Sequence, residues 1–323
     1  MKQPHVLPFE RPAADLAQRI ETLEPMVAGN PELAEPLQAL QEAHRDLETR
    51  LIAELTRWDR VQLSRHPQRP YTLDYAELAF DDFLELHGDR HFADDGAIVG
   101  GLAKLNGRKV MLIGTQKGRG TLQNMRRNFG MPRPEGYRKA LRLMRLAERF
   151  CLPIVTLIDT PGAYPGMGAE ERGQAEAIAF NLEAMMSLKV PVICVVIGEG
   201  GSGGALAIGV GNKVMMLEHA VYSVISPEAA SAILYREQGR AQEAAEALRP
   251  TAKDLLNLGV IDKIIEEPHG GAHREAGAMA ERLAEAIGRE LDELAKLSEE
   301  QLVEQRVQRF RQLGVVATHP PEG

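Results

Sequence analysis

Two short segments carry residue types whose spacing could do chemistry. One reads Gly198-Glu199-Gly200-Gly201-Ser202-Gly203-Gly204-Ala205, the other Asp159-Thr160-Pro161-Gly162-Ala163-Tyr164-Pro165-Gly166. Residues 198–204 include five glycines. Glycine lets backbone N–H groups approach a ligand with no side chain in the way, and a helix opening there adds the positive end of its dipole. Three chemistries compete for this segment. Gly198 and Gly203 have the spacing of a phosphate-binding loop, but Gly204 and Ala205 stand where Lys and Ser/Thr are needed. Asp159-Thr160-Pro161-Gly162 imitates a GTPase loop without replacing that lysine, which argues against a nucleotide hydrolase. Gly200-Gly201-Ser202-Gly203-Gly204 matches a nucleophile elbow, and a serine hydrolase would complete it with Asp254 or Asp262 followed by His269 or His273. Paired amides of Gly203 and Gly204 would instead form an oxyanion hole, which needs no nucleophile. One such donor is worth about 3 kcal/mol in a barrier.

A third signal is charge. The chain is acidic overall, with a net charge of −8, yet residues 117–149 hold ten basic residues against Glu135 and Glu148. Arg138, Arg142, Arg145 and Arg149 recur at helical spacing and share one face. Such a face is either solvated, with ion pairs to the acidic remainder or a partner, or a reader of phosphates and carboxylates; Arg138 is its candidate substrate contact. Nucleic acid is disfavoured by the net charge and by an aromatic content of 5%.

The elements that must position these residues follow from hydrophobic periodicity. Leu33, Leu37, Leu40, His44, Leu47 and Leu51 form one helical seam, and Leu16, Ile20 and Leu23 a shorter one before it. Asn30-Pro31 separates the two. This N-terminal helical arm, residues 1–65, packs either on its own chain or across a dimer. His66-Pro67-Gln68-Arg69-Pro70 breaks the pattern. Apolar runs at 109–115, 153–159, 191–198, 213–217 and 221–225 read as strands. Stretches at 135–150 and 169–188 read as helices, and 203–209 can open another. Fully apolar strands alternating with helices imply parallel βαβ units in an α/β domain spanning 66–271. Both chemical segments then follow the C-terminal end of a parallel strand, where open α/β sheets bind ligands. Residues 272–323 form a charged helical segment ended by Pro320-Pro321. Cys151 and Cys194 sit in apolar runs and read as buried core thiols in a reducing compartment. Residues 1–10 lack the pattern of a leader peptide. The apolar runs fall short of the ~20 residues of a membrane span. A cytoplasmic protein is expected.

Several longer stretches are more specific than any single motif: 65–75, Arg127-Asn128-Phe129-Gly130-Met131-Pro132, 134–144, both loops, Gly168-Ala169-Glu170-Glu171-Arg172-Gly173-Gln174, Tyr222-Ser223-Val224-Ile225-Ser226-Pro227-Glu228, and Glu267-Pro268-His269-Gly270-Gly271-Ala272-His273. In this order they closely resemble the carboxyltransferase alpha subunits of bacterial acetyl-coenzyme A carboxylases, from about Arg65 to His273. The resemblance implies a crotonase-like (ClpP/crotonase) fold of repeated ββα units. It implies carboxyl transfer from biotin, carboxylated on a separate carrier protein, to acetyl-coenzyme A, giving malonyl-coenzyme A for fatty acid synthesis. It also implies a beta-subunit partner in an α2β2 assembly, a biotin carboxyl carrier protein, a biotin carboxylase, and no membrane. Zinc is expected on the beta subunit and no metal in this chain, which lacks a four-cysteine cluster. By resemblance, Gly203 and Gly204 are the oxyanion donors, and Gly201, Gly162, Ala163, Tyr164 and Arg138 contact substrate. Ser202 is then a loop residue, and Asp159 braces its own turn.

Overall fold

The computed structural model describes residues 5–314; Pro320-Pro321 lies outside them. One eight-stranded sheet organises the chain. It comprises β1 (Asp81–Glu85), β2 (Ile98–Leu105), β3 (Arg108–Thr115), β4 (Ile154–Thr160), β5 (Val192–Gly201), β6 (Lys213–Leu217), β7 (Val221–Ser223) and β8 (Lys263–Ile265). The order is β1-β2-β3-β4-β5-β6-β8, with β7 pairing β5 beyond β6. From β3 onward every pairing is parallel, whereas β1, β2 and β3 are antiparallel neighbours. The apolar runs account for the parallel part. Ile154, Val155, Leu157, Ile158 and Val192–Ile197 are fully buried, because helices cover both faces of these strands. β1, with sequence Asp-Asp-Phe-Leu-Glu, is a half-exposed edge strand without that signature, so periodicity does not report it.

Fourteen helices accompany the sheet among the described residues. α1 (Arg11–Val27) and α2 (Ala34–Ala53) form the arm; α3 (Arg57–Ser64) and α4 (Thr72–Ala79) lead into the body. α5 (Thr121–Arg126) and α6 (Pro134–Arg149) precede β4, and α7 (Met167–Glu170) and α8 (Gln174–Ser187) precede β5. α9 (Ser202–Leu206) follows β5, and α10 (Pro227–Tyr235), α11 (Ala241–Leu248) and α12 (Ala252–Asn257) lie between β7 and β8. α13 (Ala276–Leu294) and α14 (Glu299–Arg311) close the chain. No helix here is long and apolar enough to cross a membrane.

Local chemistry explains the breaks. Asn30 accepts the Glu32 amide and starts the second half of the arm. The single helix expected over 169–188 is two, because Gly173 takes φ +79 between α7 and α8. α6 opens on Pro134 and buries Tyr137, Ala140, Leu143, Met144 and Ala147. Met279, Leu283, Ile287 and Leu291 of α13 and Leu302 of α14 join the same core as the sheet. Cys194 is buried in β5, but Cys151 is exposed. It ends the turn after α6 with φ +53, so its expected place in the core is corrected.

Candidate active site

β4 and β5 are adjacent and parallel, so the two chemical segments leave the sheet side by side. β5 runs further than expected: Thr160 pairs with Gly200, and the strand reaches Gly201. The chain then turns sharply at Ser202, whose φ of +59 lies in the left-handed region, and enters α9. The two loops touch. A Cβ on Gly201 would lie 2.2 Å from the Pro161 carbonyl oxygen, and one on Gly204 would lie 2.4 Å from the Ala163 amide nitrogen. Gly204 is therefore required by space. Its carbonyl accepts the Tyr137 hydroxyl at 3.2 Å, and burial pushes that phenol up, keeping it a neutral donor. Gly203 is the opposite case. A Cβ there would meet nothing nearer than Ile178, 4.0 Å away, so that side of the loop is open.

The facing loop is equally fixed. Thr160 Oγ1 donates to the Gly162 carbonyl and accepts its amide. The Tyr164 amide donates to Pro132, and Gln174 donates to the Pro132 and Tyr164 carbonyls. The Arg133 guanidinium lies 4.8 Å from the centre of the Tyr164 ring. Gly162, Ala163, Tyr164, Gly201, Gly203 and Gly204 thus come together.

Arg138 does not join them. It pairs with Asp89 at 2.9 Å and lines a separate groove between α6 and α8 with His91 and Arg172. Arg142 donates to the carbonyls of His87 and Gly88, and Lys139, fully buried, holds Asp94. Part of the basic helix face therefore pins the 87–95 loop.

The serine-hydrolase constellation does not assemble. Asp254 is bound by Arg57, and Asp262 by Arg309. His269 meets Thr49 and Glu48, while His273 lies against Glu10 and His66. Ser202 Oγ has no hydrogen-bond partner among the described residues, so an activated nucleophile is excluded here.

The sequence model for the family described as "Acetyl co-enzyme A carboxylase carboxyltransferase-like" matches residues 6–314. An acetyl-coenzyme A carboxylase carboxyl transferase subunit alpha from Stenotrophomonas maltophilia is 57% identical over 312 residues, covering 96% of this chain and 98% of the relative. One of the same description from Bordetella pertussis is 58% identical over 309 residues, covering 95% and 96%. The chain belongs to the acetyl-coenzyme A carboxylase carboxyltransferase alpha-subunit family. Among solved structures, transcarboxylase 12S superposes with a TM-score of 0.57 at 20% identity over 79% of this chain and 44% of that one. A Pseudomonas malonate decarboxylase hetero-tetramer in complex with coenzyme A gives 0.55 at 18% identity, over 68% and 88%. These likenesses show the crotonase-like fold.

Beneath the loops of this carboxyltransferase lies an ion cluster that motif reading does not find. Lys117 Nζ is 2.7 Å from Asp159 Oδ1 and 2.8 Å from Glu199 Oε2, and Arg65 Nε is 2.5 Å from Glu199 Oε1. Burial opposes the Lys117 charge, but the two carboxylates outweigh it and raise its pKa. Burial likewise disfavours the Glu199 carboxylate, yet Lys117 and Arg65 hold it below its ordinary range. Deeper still, Arg69 donates to the Ile197 carbonyl at 2.7 Å and to Glu267 at 2.8 Å. Lys117, Arg65 and Glu199 stood in plain view in the sequence, but Glu199 lies 82 positions from Lys117 and 134 from Arg65, pairs that only the fold joins.

One further cluster faces the arm. Glu10, His66 and His273 offer potential metal-ligand atoms within 4.8 Å of one another. The imidazoles of His66 and His273 lie 4.0 Å apart, tilted by 36°, and both His66 nitrogens are committed, Nε2 to the His5 carbonyl and Nδ1 to the Gln68 amide. This cluster works as a clasp between the chain's first residues and its body.

Proposed function

We propose that this chain provides the glycine-loop half of a site that passes a carboxyl group to acetyl-coenzyme A, giving malonyl-coenzyme A. Biotin on a separate carrier protein supplies that carboxyl group, and its ureido oxygen needs hydrogen-bond donors as negative charge develops. The residues fit such a group. The amides of Gly203 and Gly204 occupy the first turn of α9, where a helix leaves N–H groups without intrahelical acceptors, and no side chain caps this end. The open side at Gly203 leaves room for the incoming oxygen. That pairing of uncapped amides with open space carries the reading.

Each residue then has a bounded task. Gly203 and Gly204 hold the oxyanion, each donor contributing on the order of 100-fold or more in rate. Gly201, Gly162, Ala163 and Tyr164 wall the approach and exclude water. Tyr137 fixes the Gly204 peptide from behind. Asp159 is held by Lys117 and by the Glu199 amide, so it braces the site and is not a free base. A beta subunit completes the site in an α2β2 assembly and carries the zinc. The carrier protein and biotin carboxylase supply the other half-reaction in the cytoplasm.

The test is loss of malonyl-coenzyme A in the presence of a soluble biotin derivative, measured on the chain alone and on the complex that co-purifies with it. Activity confined to the complex is expected. A verified, intact complex without biotin-dependent activity would remove the reading.

A further inference from the structure

In the proposed function the ion cluster under the loops makes no contact with substrate, yet its placement is specific. Asp159 is the penultimate residue of β4, immediately before the Thr160–Gly162 turn. Glu199 lies in β5, two residues before Gly201. Lys117, beyond the end of β3, reaches both carboxylates with one ammonium. Asp159 Oδ1 also accepts the Glu199 amide at 2.9 Å. A Cβ on the intervening Gly198 would lie 2.4 Å from Asp159 Oδ1, so this close approach needs glycine. On its far side Glu199 is held by Arg65, which also pairs with Glu228 at the start of α10.

We infer that Lys117 is a positioning residue for carboxyl transfer: by joining Asp159 to Glu199 it sets how far the Gly203 and Gly204 amides stand from the Gly162–Tyr164 wall. The inference rests on the reading of these loops as the site. Lys117 touches no reacting atom in that reading and acts only through the two strand ends.

The charges make this testable. Without the ammonium, Asp159 and Glu199 face each other in a buried region, with Arg65 left beside Glu199 alone. Two close buried carboxylates do not both stay ionised without a cation between them, so one takes up a proton. The other groups facing the cluster are Arg65, Arg69, Glu228, Tyr71 and Tyr75, and burial pushes the Tyr75 phenol up. The arginines stay charged at any accessible pH. Burial, then Asp159, push the Tyr71 phenol up. Burial disfavours the Glu228 carboxylate, but Arg65 outweighs it and holds it down. A new titration on removing Lys117 therefore belongs to the Asp159–Glu199 pair. When that pair ionises, mutual repulsion opens the strand ends and displaces the amides.

The experiment is steady-state carboxyl transfer by the co-purified complex across pH. With Lys117→Met, kcat at high pH falls on the order of 100-fold, the scale of a small misplacement of catalytic groups. KM for malonyl-coenzyme A stays unchanged, and kcat recovers as pH falls and the pair holds a proton. Lys117→Arg keeps the cation and lacks this acid-side recovery. A wild-type kcat in Lys117→Met, or an equal loss at every pH with a raised KM, overturns the inference. If Lys117→Met does not assemble with its partner, Asp159→Asn decides. A fall in kcat at constant KM supports the positioning role, and an unchanged kcat overturns it. Normal turnover by Gly203→Val would instead remove the reading of the loops. An inactive Gly203→Val beside a normal Lys117→Met would overturn the positioning role alone.

Discussion

The arm and the C-terminal ends of β4 and β5 are built on different physics. No residue of α2 is fully buried, and α1 buries only Ala13. Leu37, Leu40 and Leu47 are half-buried, so the seam that stands out in the sequence makes a thin contact. At the ends of β4 and β5, fully buried strands carry loops in which Gly201 and Gly204 have no room for a Cβ, above a buried ion cluster. The contrast teaches that the most regular sequence pattern marks the least buried helices. The irregular Gly/Pro segments mark the most constrained backbone. Close packing and buried charge make the second region sensitive to single atoms, while the first tolerates change.

The largest effect on stability should come from the charge deepest below the loops. Glu267→Gln leaves Arg69 buried without its counter-charge and should cost about 3–5 kcal/mol in denaturant unfolding. A loss near zero would show that this pair is solvated. Gly204→Ala comes next. Its methyl meets the Ala163 amide and the Tyr137 hydroxyl, so about 1–3 kcal/mol of stability and most of the transfer activity should go. Wild-type stability there would mean that the loops separate easily.

The clasp between arm and body should respond to pH. Burial, then the neighbouring His273, hold His66 down to about 4 against its ordinary 6.5. Burial disfavours ionised Glu10, but His273, the Leu7 amide and Arg274 outweigh it and bring it to about 2 from 4.5. Both groups bind protons more readily once released, so the clasp is complete above pH 6.5. It weakens as pH falls from 6.5 toward 4 through His66, and again from 4.5 toward 2 through Glu10. Limited proteolysis should release the arm faster at pH 5 than at pH 8, within the range set by His66. Equal rates would break the assignment. The smallest effects belong to the exposed and half-buried positions. Leu40→Ala should cost less than about 1 kcal/mol. Ser202→Ala should leave carboxyl transfer nearly intact, and abolished turnover would revive a nucleophilic role for that serine.

The parallel strands from β3 to β7 were legible because their apolar runs are uninterrupted, whereas the three-residue β8 was not read, and the two loops were legible because glycine and proline cluster at the strand ends. The antiparallel edge was not legible, since β1 is charged and half-exposed. Gly173 split a helix that apolar spacing alone reads as continuous. Arg138 has the chemistry of an anion reader, but Asp89 and the α6–α8 groove hold it away from the loops. The Lys117–Asp159–Glu199 cluster was not visible because its members come from three separate segments, each ordinary by itself.

The central claim is that open space beside the uncapped Gly203 and Gly204 amides receives the reacting group. Gly203→Val fills that space without meeting a neighbour closer than 4.0 Å from its Cβ, so the fold should survive. Carboxyl transfer by the intact complex containing this variant is the most direct measurement. Loss of two or more orders of magnitude in kcat at unchanged thermal stability is the expected result. Turnover matching the wild type in an intact complex would contradict it.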